Sequence, residues 1–232
     1  MIEVKQLKFK FDAVFAEDIS FQVEKGEIYF ILCKEEAFRS HFFELMRGYR
    51  KPFTGDIIIG GRSVTDRQNH SNVAFINMID EVSDFETDVS MGQFVDYVCS
   101  MVKIDKLKVF EHLIRLNVDE SCLKHRIKEE RSDIFKMVYL SILLGMDTDY
   151  IVFNNFVNVE DKIVQVEFNK TMLRKRDEGK AILYLTSDIF YAFQVADKVS
   201  FIKSGYMAPA APLISADFRD MDVMKLYKQY MI

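Results

Sequence analysis

Glycine is scarce in this sequence, with nine in 232 residues against a usual share of ~7%. So few glycines leave little room for loops that need left-handed backbone or a close approach of backbone to ligand. Cysteine is scarcer still: Cys33, Cys99 and Cys122 are odd in number and widely spaced. They form no Cys-x-x-Cys pair and have no nearby His pattern, which argues against a zinc site or a disulfide framework and fits reduced thiols of a cytosolic protein. No apolar run approaches the ~20 residues that span a bilayer. Met1-Ile2-Glu3-Val4-Lys5 puts charge where a signal peptide needs an apolar core, so a cytoplasmic protein is expected. An excess of positive charge is also lacking. With 31 Lys+Arg against 36 Asp+Glu and a net charge of -5, there is no electrostatic footprint for nucleic acid. The run Arg174-Lys175-Arg176 is diluted by Asp177 and Glu178 and reads as a solvated helix end, with contact to anionic lipid or a partner as the alternative.

What is present is a chain 49% apolar and 29% charged, enough for one sizeable core or two tightly joined subdomains. Residues 2–11 and 19–23 alternate apolar and polar positions up to a turn at Glu24-Lys25-Gly26, which predicts an antiparallel hairpin region. Ile28-Tyr29-Phe30-Ile31-Leu32 is continuously apolar, as expected for a strand buried on both faces, and a helical pattern follows over 36–47. Pro52 and Gly55 punctuate a turn before a strand at 56–59. A strand at 73–77 precedes an acidic, irregular stretch, and roughly 90–145 read as helices. Strands at 150–153, 181–185 and 198–203 then alternate with helices near 160–177, 188–196 and 216–230, which predicts an α/β fold with a mainly parallel core sheet. The boundaries implied are an α/β core at 1–77 and 146–232, with a helical subdomain inserted at 78–145.

The strand-loop-helix at 28–48 has the spacing of a P-loop. Gly48-Tyr49-Arg50-Lys51-Pro52-Phe53-Thr54-Gly55-Asp56-Ile57 is similar to the G-L-x-x-P-x-x-G-E-I of the ATP-binding cassette (ABC) ATPases. Gly179-Lys180-Ala181-Ile182-Leu183-Tyr184-Leu185-Thr186-Ser187-Asp188, Ala196-Asp197-Lys198-Val199 and Lys203-Ser204-Gly205 resemble that family's G-K-T-V-L-L-V-T-H-D, A-D-R-V and K-x-G. The matches fall in order across nearly the whole chain. They imply the P-loop NTPase-like ABC ATPase fold: a mainly parallel core sheet, an N-terminal antiparallel β subdomain and a helical subdomain.

The same resemblance locates the family's ATP-handling positions, and the residues there are altered. Its G-x-x-x-x-G-K-S falls on residues 33–40, where Cys33 and Phe38 stand for glycines and Arg39 for the lysine, while Ser40 is retained. Glu36 takes a further position that is usually glycine. Glu35 and Glu36 would face a polyanion. Repulsion of unit charges at 4 Å and an effective dielectric of 20 is about 4 kcal/mol, which the ~0.3–1 kcal/mol attraction of a helix N-terminus does not offset. An ordinary strand-helix connection and a surviving phosphate site using Arg39 are the two readings. Asn154 and Asn155 fall where the family has the Asp that supports Mg²⁺ and the Glu that polarises water, and amides cannot ionise. Met78 stands for the metal-sensing glutamine and Ser187 for the switch histidine. The signature L-S-G-G-Q lands near residues 130–134, including Arg131, Ser132 and Asp133, and Asp133 reads as an N-terminal helix charge. Phe11 is a possible adenine stacker or plain core. Asp161 falls on the aspartate of the family's dimer-contact loop.

These replacements imply a pseudo-ATPase with no cofactor, or ATP and Mg²⁺ only if some nucleotide binding survives. The role implied is docking on the cytoplasmic side of an integral membrane permease, as a peripheral protein at the inner face of the cell membrane. Assembly, coupling or regulation would be served beside a competent ABC ATPase subunit or a second copy. Phe85, Met91, Phe94 and Tyr97 are the candidate partner-binding side chains, with packing of the helical subdomain's own core as the alternative. A divergent ATPase that still binds or slowly hydrolyses ATP, and a soluble regulator without a transporter, are the competing functions.

Overall fold

A computed structural model describes residues 1–66, 72–77, 88–127, 132–155, 162–212 and 221–231. The chain opens with β1 (Ile2–Phe11) and β2 (Val14–Val23), then β3 (Glu27–Cys33) and α1 (Glu36–Met46). β4 (Thr54–Ile59), β5 (Arg62–Ser63) and β6 (Val73–Asn77) lead to α2 (Met91–Val102), α3 (Lys106–Arg115), a 3-10 turn at Glu120–Lys124 and α4 (Ser132–Gly145). The second α/β stretch is β7 (Tyr150–Asn154), α5 (Lys162–Asp177), β8 (Ala181–Thr186), α6 (Ile189–Val195) and β9 (Lys198–Lys203). Short β10 (Tyr206–Met207), β11 (Ala211–Pro212) and helix α7 (Met221–Met231) complete it. Residues 213–220 lie outside the described residues, so the expected start of the last helix near 216 does too.

Two compact units result: Met1–Phe75 with Thr148–Phe156 and Met172–Ile232, and Ile76–Asp147 with Val157–Thr171. The expected boundaries assign 157–171 to the core, whereas α5 runs through the division at Thr171/Met172 and its first half groups with the helical unit.

In the first unit a four-stranded sheet has the order β2-β1-β4-β5, and the core sheet runs β10-β9-β3-β8-β7-β6 with β11 on β9. β3 pairs in parallel with β8 and β9, and β7 with β8. The unbroken apolar runs of these strands follow from burial on both faces. On one face Tyr29, Ile31, Cys33, Val152, Leu183 and Leu185 pack with α1 and the antiparallel sheet. On the other, Tyr184 stacks on Phe30 (ring centroids 4.6 Å, 3° between planes) and Phe153 (5.1 Å), and Tyr191 of α6 lies 5.5 Å from Phe30.

Seven of the nine glycines have positive φ. The scarce residue sits at turns. Gly55 shows why: at φ +87, an added Cβ would lie 2.4 and 2.5 Å from the Lys5 and Gln6 carbonyl oxygens, at the irregularity where β4 pairs with β1. Gly55→Ala is expected to lose more than about 2 kcal/mol, read as a lowered urea midpoint with an unchanged slope.

In the helical unit α2 begins with a capping box: the Ser90 hydroxyl accepts from the Gln93 amide at 3.2 Å, and the Ser90 amide donates to Gln93 Oε1 at 2.9 Å. Asp105 caps α3 by accepting from the Leu107 amide. Both caps satisfy helix N–H groups that otherwise lack intrahelical partners.

Candidate functional site

The carboxyl ends of parallel strands are where open α/β sheets bind ligands. Here the register sets Leu32 opposite Thr186 and Asn154 opposite Leu185, so Cys33, Asn154, Asn155 and Ser187 gather at that edge of the core sheet. Met78, Arg131 and Asp161 lie outside the described residues, and of Ser132 and Asp133 only their place at the start of α4 is described.

The connection from β3 to α1 is two residues, Lys34 and Glu35. No residue from 33 to 40 has positive φ, whereas an anion nest alternates right- and left-handed backbone. Arg39, which the family resemblance sets at the place of the phosphate-loop lysine, is 5% exposed. Its Nη1 donates to the carbonyls of Cys33 (2.5 Å) and Lys34 (3.0 Å), so the guanidinium is turned back into its own loop. Phe38 is fully buried, with ring centroids 5.3 Å from Phe9, 5.3 Å from Phe11 and 5.7 Å from Phe42. Ser40 and Glu36 are exposed. The packing explains the glycine replacement: a side chain on the inner face of α1 fills an aromatic core that a glycine would leave empty.

Glu35 carries a feature that spacing alone did not signal. Its Oε1 accepts from the Ser204 amide at 2.9 Å, 169 residues away, and its Oε2 from the Cys33 thiol at 3.0 Å. Glu35 thereby fastens the strand-helix connection to the Lys203-Ser204-Gly205 turn. Burial raises its pKa, but the Ser204 and Cys33 hydrogen bonds outweigh this and hold the carboxyl below its ordinary 4.5. Burial pushes the Cys33 thiol up, helped by the neighbouring Glu35 charge. A depressed carboxyl contributes stability that is present above the unfolded value and is lost as pH falls through the folded one. Glu35→Gln is therefore expected to lower the urea midpoint near neutrality and to flatten its decline below about pH 4.5, so that variant and parent converge at low pH.

At the end of β7, Asn154 is 5% exposed. Asn155 sits in left-handed backbone at φ 49, a conformation Asn tolerates, and its amide donates to the Leu185 carbonyl at 2.8 Å. Ser187 is exposed beside Asp188, whose carboxylate caps α6 through the Tyr191 amide. This edge offers two neutral amides and a hydroxyl where Mg²⁺ takes carboxylates or substrate phosphates, beside a loop filled by its own arginine. The described residues suit neither Mg²⁺ nor a polyphosphate. Nor is there a group of three or more His, Cys, Asp or Glu able to hold a metal ion among them.

Phe11 is not a base stacker. It is 2% exposed, wedged edge-on against Phe38, so its ring faces are taken up by the core. Among the partner candidates, Met91 is fully buried and Phe94 is half-buried with its ring 5.6 Å from Phe135. Met91 is thereby corrected from surface to core, because it lies on the inner side of the amphipathic α2, while Phe94 is only partly covered. Tyr97 is 65% exposed, and Phe85 lies outside the described residues. The Arg174-Lys175-Arg176 run is no free patch: Lys175 is buried, and Arg176 bonds Asp177 and Asp197.

No family model matches the chain. Curated relatives do. A putative ABC transporter ATP-binding protein of Methanosarcina acetivorans is 22% identical over 193 residues, covering 82% of this chain and 68% of the relative. The petrobactin import ATP-binding protein YclP of Bacillus subtilis is 21% identical over 220 residues, covering 91% and 87%. The arabinose import ATP-binding protein AraG of Vibrio parahaemolyticus is 26% identical over 199 residues, and the match spans 38% of its length. Among solved structures, an ATP-binding subunit of an ABC transporter matches over 100% of both chains with TM-score 0.81 and 16% identity. The dimeric cassette MJ0796 bound to ADP and Pi matches over 92% of this chain and 99% of its own, with TM-score 0.77 and 13% identity. The chain has the fold of the ATP-binding cassettes of ABC transporters.

Proposed function

We propose that this chain is a non-hydrolytic ABC-type subunit, which docks on the cytoplasmic side of a membrane permease and serves assembly, coupling or regulation. The observation that carries the proposal is the buried Arg39 guanidinium bonded to the carbonyls of Cys33 and Lys34. A cation turned inward holds the loop in a form with no cradle of N–H groups for a phosphate. Asn154 and Asn155 support the same reading, since neither can act as the carboxylate that orients water or holds the metal. With catalysis set aside, what the fold retains is its surfaces. The likeness to YclP and AraG, named for import of petrobactin and arabinose, supports placing those surfaces in a transporter. No helix among the described residues is long and apolar enough to cross a membrane, so membrane attachment on this reading is through a partner.

The test is purification of the tagged full chain from detergent-solubilised native membranes. A multi-spanning membrane protein recovered in stoichiometric amount is the expected result. Recovery of the chain alone, or only with soluble proteins, contradicts the permease role.

A further inference from the structure

We propose that the first unit carries a second, direct membrane contact: a cation-aromatic surface that binds an anionic lipid bilayer, formed by Lys8, Lys10, Phe15, Arg50, Lys51 and Phe53. The backbone brings these residues together. Lys10 is paired in register with Phe15 across β1 and β2, and the Phe53 amide donates to the Lys8 carbonyl at 2.8 Å. Phe15 and Phe53 lie 5.9 Å apart, and the ammonium groups of Lys8 and Lys10 sit 5.6 and 5.8 Å from the Phe15 ring centroid.

Three aromatic rings here are left in solvent: Phe15 is 45% exposed, Phe53 66% and Tyr49 68%. Arg47 stacks on Tyr49 at 4.2 Å. The local charge opposes that of the chain. Lys8, Lys10, Arg47, Arg50 and Lys51 face Glu17, Glu44 and the hairpin-tip Asp12, on a protein of net charge -5. Lys8 pairs with Glu17 and Arg50 with Glu44. Lys10, Arg47 and Lys51 have no carboxylate partner among the described residues.

Exposed rings interleaved with lysine and arginine suit a bilayer interface, where aromatic groups settle at headgroup depth and cations meet anionic lipid. A cavity of about 160 Å³ is lined by Lys10, His41, Arg50 and Lys51 together with the apolar Phe9, Leu45 and Phe53. It is below the ~300 Å³ of ordinary organic-ligand pockets and is a small pit, not a groove for a helix or strand. Its size and its basic residues suit one headgroup phosphate, and Phe9, Leu45 and Phe53 suit the adjoining apolar part of a lipid. A charged, ring-studded surface with a phosphate-sized pit therefore favours lipid over an acidic polypeptide. This contact goes beyond the permease role and does not depend on whether the chain hydrolyses ATP.

The experiment is co-sedimentation of the full chain with vesicles of phosphatidylcholine alone and of phosphatidylcholine and phosphatidylglycerol in two-to-one ratio, without permease or nucleotide. Binding to the anionic vesicles only, falling as salt is raised, is expected. Lys10→Glu with Lys51→Glu is expected to lower partitioning by more than about tenfold, since each cation near the surface contributes several-fold and reversal adds repulsion. Phe15→Ser with Phe53→Ser is expected to weaken binding while leaving its salt dependence. Circular dichroism and urea midpoints like those of the parent establish that the variants are folded. Equal binding to neutral vesicles, no binding to anionic ones, or charge-reversed variants that bind like the parent would overturn the proposal. So would preferential capture of the chain by polyglutamate.

Discussion

Replacing Phe38 by glycine is expected to destabilise the chain by about 4–6 kcal/mol and to restore no nucleotide binding. The first figure sums about 3–5 kcal/mol for emptying a buried phenylalanine site and about 1 kcal/mol for glycine within a helix. Phe38 is fully buried against Phe9, Phe11 and Phe42 and is the third residue of α1. A loss of this size is a large fraction of the ~5–15 kcal/mol stability of ordinary domains, so the urea midpoint should fall sharply. Chemical denaturation followed by circular dichroism measures it. If Phe38 instead covered a usable phosphate loop, the variant would stay folded and gain affinity for ATP.

Arg39→Met is expected to cost about 2–4 kcal/mol. Two charge-assisted hydrogen bonds are removed, and the carbonyls of Cys33 and Lys34 lose the donor that the loop is built around. Arg39→Lys should recover only part of the loss, because an ammonium on a flexible stem does not reproduce the planar guanidinium. A surface residue waiting for an anion would behave differently, changing stability by less than about 0.5 kcal/mol on removal. The comparison of the two variants by urea midpoint therefore distinguishes an internal brace from an idle ligand.

Much of the frame was legible in the sequence because burial on both faces writes itself as unbroken apolar runs. Ile28–Leu32 and Leu183–Leu185 announce β3 and β8 in this way. Alternation revealed β1, and β6 and β9 fall on the expected residues. The candidate positions were marked in the sequence by the family resemblance alone, and the strand order then sets Cys33, Asn154 and Ser187 at one sheet edge because β3 and β7 both neighbour β8. Side-chain direction was not. Arg39 follows the spacing of a phosphate ligand, yet its hydrogen bonds are local and point inward, a choice fixed by three-dimensional packing. Phe11 and Met91 were equally ambiguous, since an aromatic or apolar residue at a strand end or helix start suits either core or surface. The Glu35–Ser204 bond joins residues 169 apart, and no local pattern marks such a pair.

On the proposed function, the loop between β3 and α1 accepts no nucleotide. The most direct test of this is a calorimetric titration of the purified full chain with ATP and Mg²⁺, repeated on the complex recovered from membranes. A flat titration is expected for the chain alone, and no ATP site in the complex that depends on Arg39, Asn154 or Asn155. Saturable binding to the chain alone at micromolar affinity, weakened by substitution at Arg39 or Asn154, would contradict it.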